Sequence, residues 1–388
     1  MDNNRKLCFV TGSRAEYGLL QFLIKKVHSD KDLELQIIAT GMHLSEKFGY
    51  TYKEIEDDGF FINSKVEMLQ SSDSELDVVK SMSAGMEKFS KVITELKPDL
   101  IIVLGDRFEI FSAVISATIL RVPIAHIHGG ETTEGAFDES FRHSITKMSH
   151  LHFTSTEDSH KRVLQLGESP ERVFNVGALG VEKIKSTELL SKNLFEKAIG
   201  FSLGKKNLLI TFHPVTLEKA SPESQFQDLL NSLDKLENTH LLFTKANADI
   251  GGSVINKMID EFVIKSQKNR ISFKSMGSFK YLSALQFVDG VIGNSSSGLI
   301  EVPSFKIGTI NIGDRQLGRI KSKSVIQCKP YSSDIERAIK ILYSKNFQDS
   351  IETLKNPYDR PDTSTNILKA IKCYPSNNIL KKKFYNIS

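Results

Sequence analysis

The residues best suited to chemistry fall in short polar runs that each follow an apolar one. The most unusual is Gly293-Asn294-Ser295-Ser296-Ser297-Gly298. Small residues let a backbone approach a ligand closely, free amides at a helix start point at an anion, and serine hydroxyls add donors. The run reads either as a cradle for a diphosphate or as a plain Ser/Gly turn. Glu301, just beyond it, is placed either to accept hydrogen bonds from a ribose or to sit solvated on a helix.

A second group is acidic and imidazole-rich. Leu104-Gly105-Asp106-Arg107-Phe108-Glu109 closes one apolar run, and His126-Ile127-His128-Gly129-Gly130-Glu131 closes the next. Phe137-Asp138-Glu139 and Arg142-His143 follow shortly. Acids and imidazoles brought together from neighbouring strand ends can move protons. A metal is the rival reading, because His126 and His128 at i, i+2 on a strand would share a face and could ligate zinc or iron. His126 also lies within an apolar run, where a satisfied core histidine is the plainer reading.

Three further runs carry anion-binding types. Phe212-His213-Pro214 ends an apolar run, Thr244-Lys245-Ala246-Asn247-Ala248-Asp249 ends another, and Asp314-Arg315-Gln316-Leu317-Gly318-Arg319 offers two arginines. Near the N-terminus, Thr11-Gly12-Ser13-Arg14 opens a helical pattern, where Arg14 either clamps a phosphate or lies on the surface. This loop has neither the GxGxxG nor the GxxxxGK[ST] pattern, so nothing there supports NAD or ATP.

These runs must be held by regular elements. Strands are expected at 7–10, 35–39, 100–104, 123–127, 150–154 and 173–176, and again at 208–212, 240–244, 271–273, 290–292 and 308–312. Helical patterns fill the gaps at 19–27, 75–96, 107–120 and 226–236. Continuous apolar runs such as Leu100-Ile101-Ile102-Val103-Leu104 suit strands buried on both faces. The β-α-β rhythm, twice over, predicts an α/β protein with two Rossmann-like doubly wound parallel sheets facing a central cleft. Ligands bind such sheets at the carboxyl ends of strands, where the polar runs fall. The expected domains are 1–178, holding the acid/base residues, 179–365, and a segment 366–388 returning to the first domain, with the hinge within 177–206.

Composition sets the outer limits. The chain has 388 residues, 40% apolar and 25% charged, with net charge +4. That suits two packed cores and gives no sign of a nucleic-acid binder. The one basic run, Lys381-Lys382-Lys383, reads as a solvated helix terminus. Three scattered cysteines, Cys8, Cys328 and Cys373, form no CxxC pair, which argues against a disulfide framework or structural zinc and for a reducing compartment. No secretory signal or membrane-length apolar run is visible, so the cytoplasm is expected.

Taken in order, TGSRAEYG (11–18), TGMH (40–43), LGDRFE (104–109), HIHGGE (126–131), RHSITKMSH (142–150), FHP (212–214), GNSSSGLIEVPS (293–304) and INIGDRQLGR (310–319) resemble the hydrolysing UDP-N-acetylglucosamine 2-epimerases, in particular the bacterial capsule and sialic acid biosynthesis type. The resemblance implies a glycosyltransferase-B-like fold, a UDP-sugar substrate, and neither metal nor other cofactor. It implies UDP contacts from His213, Asn247, Ser295, Ser296, Glu301 and Arg315, with Arg14 and Arg107 reaching from the first domain. His43 of the TGMH run, Asn294, Ser297 and Arg319 complete the expected binding set. It carries over Asp106 and Asp138 as reactive acids, and His213 joins the catalytic set.

Two positions depart from the non-hydrolysing relatives. His128 stands where they have a glutamate, so either His128 or the nearby Glu131 takes that part. Leu19 stands where they have a phosphate-binding lysine. The implied reaction converts UDP-N-acetylglucosamine and water to N-acetylmannosamine and UDP by elimination, then hydration. The alternatives are the same reaction on a UDP-2,4-diacetamido-trideoxy sugar of the legionaminic acid pathway, a non-hydrolysing epimerase, a two-lobed glycosyltransferase, and an inert UDP-sugar sensor. The resemblance also suggests a homodimer or homotetramer, formed through first-domain helices such as 75–96, without nucleic-acid or membrane partners.

Overall fold

The structure is a computed structural model that describes residues 4–72, 74–134, 136–215, 221–246, 251–375 and 378–387. The chain divides into two compact units. Unit 1 comprises Met1–Glu131, Asp138–Lys183 and Tyr358–Ser388, and unit 2 comprises Thr132–Phe137 and Ile184–Pro357.

Unit 1 is built on seven strands: β1 (Arg5–Thr11), β2 (Leu33–Thr40), β3 (Ser64–Val66), β4 (Leu100–Leu104), β5 (Ile124–Ile127), β6 (Leu151–Thr154) and β7 (Val173–Asn175). They form one parallel sheet in the order β3-β2-β1-β4-β5-β6-β7. Every residue of β4 is buried, as its unbroken apolar run requires of a central parallel strand. The core packs β1, β2, β4, β5 and β6 against the helix Arg14–Ser29, which turns Tyr17, Leu20, Leu23, Ile24 and Val27 inward. Ser13 caps that helix by accepting the Glu16 N–H.

The last helix, Thr363–Cys373, adds Ile367 and Ile371 to the same core. The chain crosses to unit 2 after Lys183 and returns at Tyr358, rather than at 178 and 365. Lys183 stays with unit 1 because its buried ammonium donates 2.8 Å hydrogen bonds to Gly18 O and Gln21 Oε1. Tyr358 stays because its carbonyl accepts from the Ala178 N–H.

Unit 2 has six strands: β8 (Lys206–Thr211), β9 (Thr239–Thr244), β10 (Arg270–Phe273), β11 (Gly290–Gly293), β12 (Gly308–Ile312) and β13 (Val325–Cys328). Their order is β10-β9-β8-β11-β12-β13, again all parallel. One face carries a core around Phe212, Phe226, Phe243 and Ile335, and the other a core around Phe195, Leu209, Leu242 and Val302. The short stretch Thr132–Phe137 travels with this unit: Thr132 Oγ1 donates to Leu317 O at 3.1 Å, and Arg319 Nε donates to Thr132 O at 2.7 Å.

Two edge strands, β3 and β13, were not legible in the sequence, being short and half-exposed. The basic run 381–383 is not a solvated helix end. The helix Thr363–Cys373 has already stopped, and Lys382 is drawn against Glu168, with its Nζ 2.8 Å from Glu168 Oε2. Among the described residues, no helix is long and apolar enough to cross a membrane.

Candidate active site

In each sheet the strand order reverses at one place, between β1 and β4 in unit 1 and between β8 and β11 in unit 2. Loops leaving two such neighbours diverge and open a crevice at their carboxyl ends, where α/β proteins hold ligands. The polar runs 11–14 and 104–109 leave β1 and β4, the runs 212–214 and 293–298 leave β8 and β11, and 126–131 and 314–319 follow the next strands, β5 and β12.

In unit 1, Asp106 follows β4 and its carboxylate is ion-paired with the guanidinium of Arg142. Arg142 lies one turn into the helix Asp138–Met148, and its Nη1 also donates to the His128 carbonyl at 3.0 Å. Burial acts to lower this guanidinium. Asp106, then Glu131, Glu139 and Asp138, more than offset that and hold it above its ordinary value. His128 and Glu131 are both buried, with His128 Nδ1 3.8 Å from Glu131 Oε1, and the Ser155 hydroxyl donates to that oxygen at 2.7 Å. Asp106, His128, Glu131 and Asp138 are therefore gathered around one arginine that the sequence reading noticed but gave no role.

The i, i+2 argument for a metal does not hold here. β5 ends at Ile127, and His128 has φ +62°, so the two histidines do not share a strand face. The His126 ring is fully buried, with Nε2 2.7 Å from Gly105 O and Nδ1 3.1 Å from Thr146 Oγ1. Burial pushes it down to about 3, so it is a neutral brace between the end of β4 and the helix behind it.

Arg14 is held in a two-pronged ion pair with Glu54, Nε donating to Oε2 at 2.6 Å. Arg107 reaches Glu109 Oε1 at 3.3 Å, and Glu109 is fully buried. His43 was expected to touch the ligand, but its ring is 0% exposed. Its nitrogens lie 3.1 Å from Thr11 Oγ1 and 2.9 Å from Thr51 Oγ1. Burial, first of all, pushes it down to about 4, and in this arrangement it braces the end of β1.

In unit 2 the serine run begins where β11 ends. Asn294 is fully buried, and its side chain bridges to the loop after β8: Oδ1 accepts the His213 N–H at 2.7 Å and Nδ2 donates to His213 O at 2.8 Å. With both ends of its amide used on the backbone, Asn294 joins the two loops of the crevice. Its own carbonyl accepts from Gln316 Nε2 at 2.8 Å and Arg315 Nη1 at 3.1 Å, which ties in the loop after β12.

Ser297 shares a 2.7 Å hydrogen bond with the Tyr281 hydroxyl, and Ser295 Oγ accepts the Ser297 N–H at 3.4 Å. Ser296 precedes the four-residue helix Ser297–Ile300, and Glu301, nine-tenths buried, follows it. Arg319 donates to Thr132 O and to Thr133 Oγ1. Asn247 lies outside the described residues. Sequence reasoning missed Tyr281, and it gave Gln316 no role. Nothing in its type or spacing distinguishes it from its neighbours in 314–319.

The chain matches the family model described as UDP-N-acetylglucosamine 2-epimerase over residues 25–372. A Campylobacter jejuni protein, GDP/UDP-N,N'-diacetylbacillosamine 2-epimerase (hydrolyzing), is 44% identical, with 99% of this chain and 100% of that protein aligned. The Escherichia coli polysialic acid biosynthesis protein P7 is 41% identical over 99% of this chain and 98% of that protein. In fold, the chain is similar to the Staphylococcus aureus MnaA–UDP structure, with TM-score 0.79 and 18% identity over 98% of this chain and 100% of that one. With strand-end acids in one unit, a stapled serine loop in the other, and a family match spanning both, the chain belongs to the UDP-N-acetylglucosamine 2-epimerase family.

Proposed function

We propose that this protein is a hydrolysing 2-epimerase of UDP-2-acetamido sugars, converting UDP-sugar and water to UDP and the free sugar inverted at C2. The observation that carries the reading is the cluster of Asp106, His128, Glu131 and Asp138 around Arg142 in a chain of this family.

In the first stage a base takes the C2 proton, the C1–O bond breaks and UDP departs, leaving a glycal. In the second, water adds its oxygen at C1 while a proton returns to C2 from the opposite face. The C2 proton is weakly acidic, so stabilising the departing diphosphate is a large part of the work. In this reading Ser295, Ser296, His213, Glu301 and Arg315 of unit 2 hold UDP, and Asn294 fixes the loop that presents them. Asp106 and Asp138 move the protons, and the buried His128–Glu131 pair replaces the glutamate of non-hydrolysing relatives. The protein works in the cytoplasm as a homodimer or homotetramer.

For the sugar, UDP-N,N'-diacetylbacillosamine comes first and UDP-N-acetylglucosamine second, the reverse of the sequence reading. The Campylobacter jejuni relative supports the first, and the family description, UDP-N-acetylglucosamine 2-epimerase, the second. Assaying both side by side for UDP and free sugar tests the order. Release of UDP with no acceptor excludes a transferase, and an intact UDP-sugar product excludes hydrolysis. In D₂O the free sugar should carry deuterium at C2, and product without it sinks the elimination–hydration route.

A further inference from the structure

Glu16 lies in the first turn of the helix Arg14–Ser29, at the β1–β4 crevice, with only 6% of its surface exposed. Its Oε2 accepts the Gly12 N–H at 2.7 Å. Its Oε1 is buried with no hydrogen-bond partner among the described residues. The carboxyl of Glu109 packs on the same face of Gly12. A Cβ placed on that glycine would lie 3.5 Å from Glu16 Oε2 and 3.7 Å from Glu109 Cδ. Two buried carboxyls thus pack against the same face of one glycine.

Arg107, Glu109 and Asp106, from the loop and helix after β4, all act on Glu16. Arg14 is in the same helical turn, and His43 adjoins through Thr11. Glu109 is paired with Arg107 and Asp106 with Arg142, while Glu16 makes no ion pair among the described residues. A buried carboxylate without a cation is costly, and like charges nearby raise the cost. Burial foremost pushes Glu16 up to about 8; Arg107 pulls against this and Glu109 adds to it.

We propose that Glu16 is a positioning residue that must carry a proton for unit 1 to receive the anionic part of its ligand on Arg107 and Arg14. This rests on the UDP-sugar reading above. With Glu16 neutral, the Glu109 carboxylate paired to Arg107 is not joined by a second one from the helix after β1. With Glu16 ionised, a further carboxylate competes for that guanidinium and adds negative charge where a diphosphate must approach. Glu16 keeps its proton below about 8 and loses it above. Binding of the anion and protonation of Glu16 are therefore linked, each favouring the other.

Lys183 also titrates near this window: burial pushes it down to about 8, and it bonds Gly18 O on the same helix. His43, at about 4, does not. Comparison with Glu16→Gln separates Glu16 from Lys183, because the glutamine keeps the shape and the Gly12 bond but cannot ionise. The test is calorimetric titration of UDP into the whole protein from pH 7 to pH 9, in buffers of differing ionisation enthalpy, with thermal unfolding as the check on folding.

Wild type should lose about tenfold in affinity over that span and take up close to one proton on binding at the upper end. E16Q should hold its pH 7 affinity to pH 9 without that uptake. A folded E16Q with the wild-type pH profile overturns the assignment. So does a wild type that binds UDP without proton uptake, a result that needs no variant. Absence of UDP binding at every pH overturns the UDP-sugar reading along with it.

Discussion

The carboxylate of Asp106 and the guanidinium of Arg142 are paired, and the same guanidinium holds the His128 carbonyl at 3.0 Å. One buried arginine thus fixes the carboxylate at the end of β4, the acid proposed to move a proton, and the backbone of the loop after β5. Asp106→Asn keeps the shape but cannot carry a proton. It should lower kcat by about 10²–10⁴-fold while leaving UDP affinity nearly unchanged. Arg142→Met should lower kcat comparably by releasing Asp106, and should also destabilise the fold by about 3 kcal/mol, because Asp106 loses its buried partner. Steady-state kinetics, UDP calorimetry and urea unfolding check these in turn. Wild-type turnover in D106N would remove Asp106 from the mechanism.

Asn294 makes a different prediction. Its amide joins the serine loop to the His213 backbone with two buried hydrogen bonds. Asn294→Ala leaves the His213 N–H and carbonyl without those partners, a loss of about 2 kcal/mol or more. Because Asn294 spends both ends of its amide on shaping the loop, KM and the UDP dissociation constant should rise more than kcat falls. Kinetics on the folded variant decides. A pure kcat effect would mean that the bridge matters to the reaction itself.

How far the sequence foretold this follows from what spacing can encode. A parallel strand buried on both faces announces itself as an unbroken apolar run, so β4 at Leu100–Leu104 was read to the residue. Strand ends and their polar loops came with such runs. What spacing cannot encode is the direction of a side chain once the chain turns. His43 and Asn294 carry ligand-binding chemistry, yet both turn inward and bond their own scaffold. The left-handed turn at His128 broke the strand geometry on which the metal alternative depended. Lys382, read as solvated, is pulled in by an acid 214 residues away in sequence.

That last pairing has a pH signature. Glu168 is buried and accepts from His152 Nε2 at 3.0 Å, Lys147 Nζ at 2.7 Å and Lys382 Nζ at 2.8 Å. Burial opposes its charge, but His152, Lys147 and Lys382 together hold it down to about 2, below an ordinary value of 4.5. A depressed acid contributes stability above its unfolded value and loses that contribution as pH falls through its folded one. The network should therefore be fully stabilising at pH 7 and weaken between pH 4.5 and about 2. Glu168→Gln should cost about 3 kcal/mol at pH 7, with the gap to wild type narrowing in acid. Lys382→Met should show the same trend with a smaller loss. Urea unfolding across pH tests both, and a gap that widens in acid would contradict the network.

Two glycines of the serine run face different obstacles, and substitution should tell them apart. Gly293 has φ +144° and is the register partner of Thr211 in the neighbouring strand. A Cβ there would lie 1.9 Å from the Thr211 carbonyl oxygen, which is backbone at the centre of the sheet. Gly298 is barred by a side chain: its Cβ would meet Thr309 Cγ2 at 2.6 Å, while Thr309 Oγ1 donates to the Gly298 carbonyl at 2.7 Å. Gly298→Ala should cost about 2 kcal/mol through overpacking. Thr309→Ser removes the obstructing methyl and keeps the hydroxyl, so it should recover most of that loss. No neighbouring side chain can be trimmed to admit Gly293→Ala, which should abolish UDP binding and lower the thermal midpoint whatever stands at 309. Thermal unfolding and UDP titration of G293A, G298A and each combined with T309S give the comparison. Rescue of G293A by T309S would mean that the strand pair can open around the alanine.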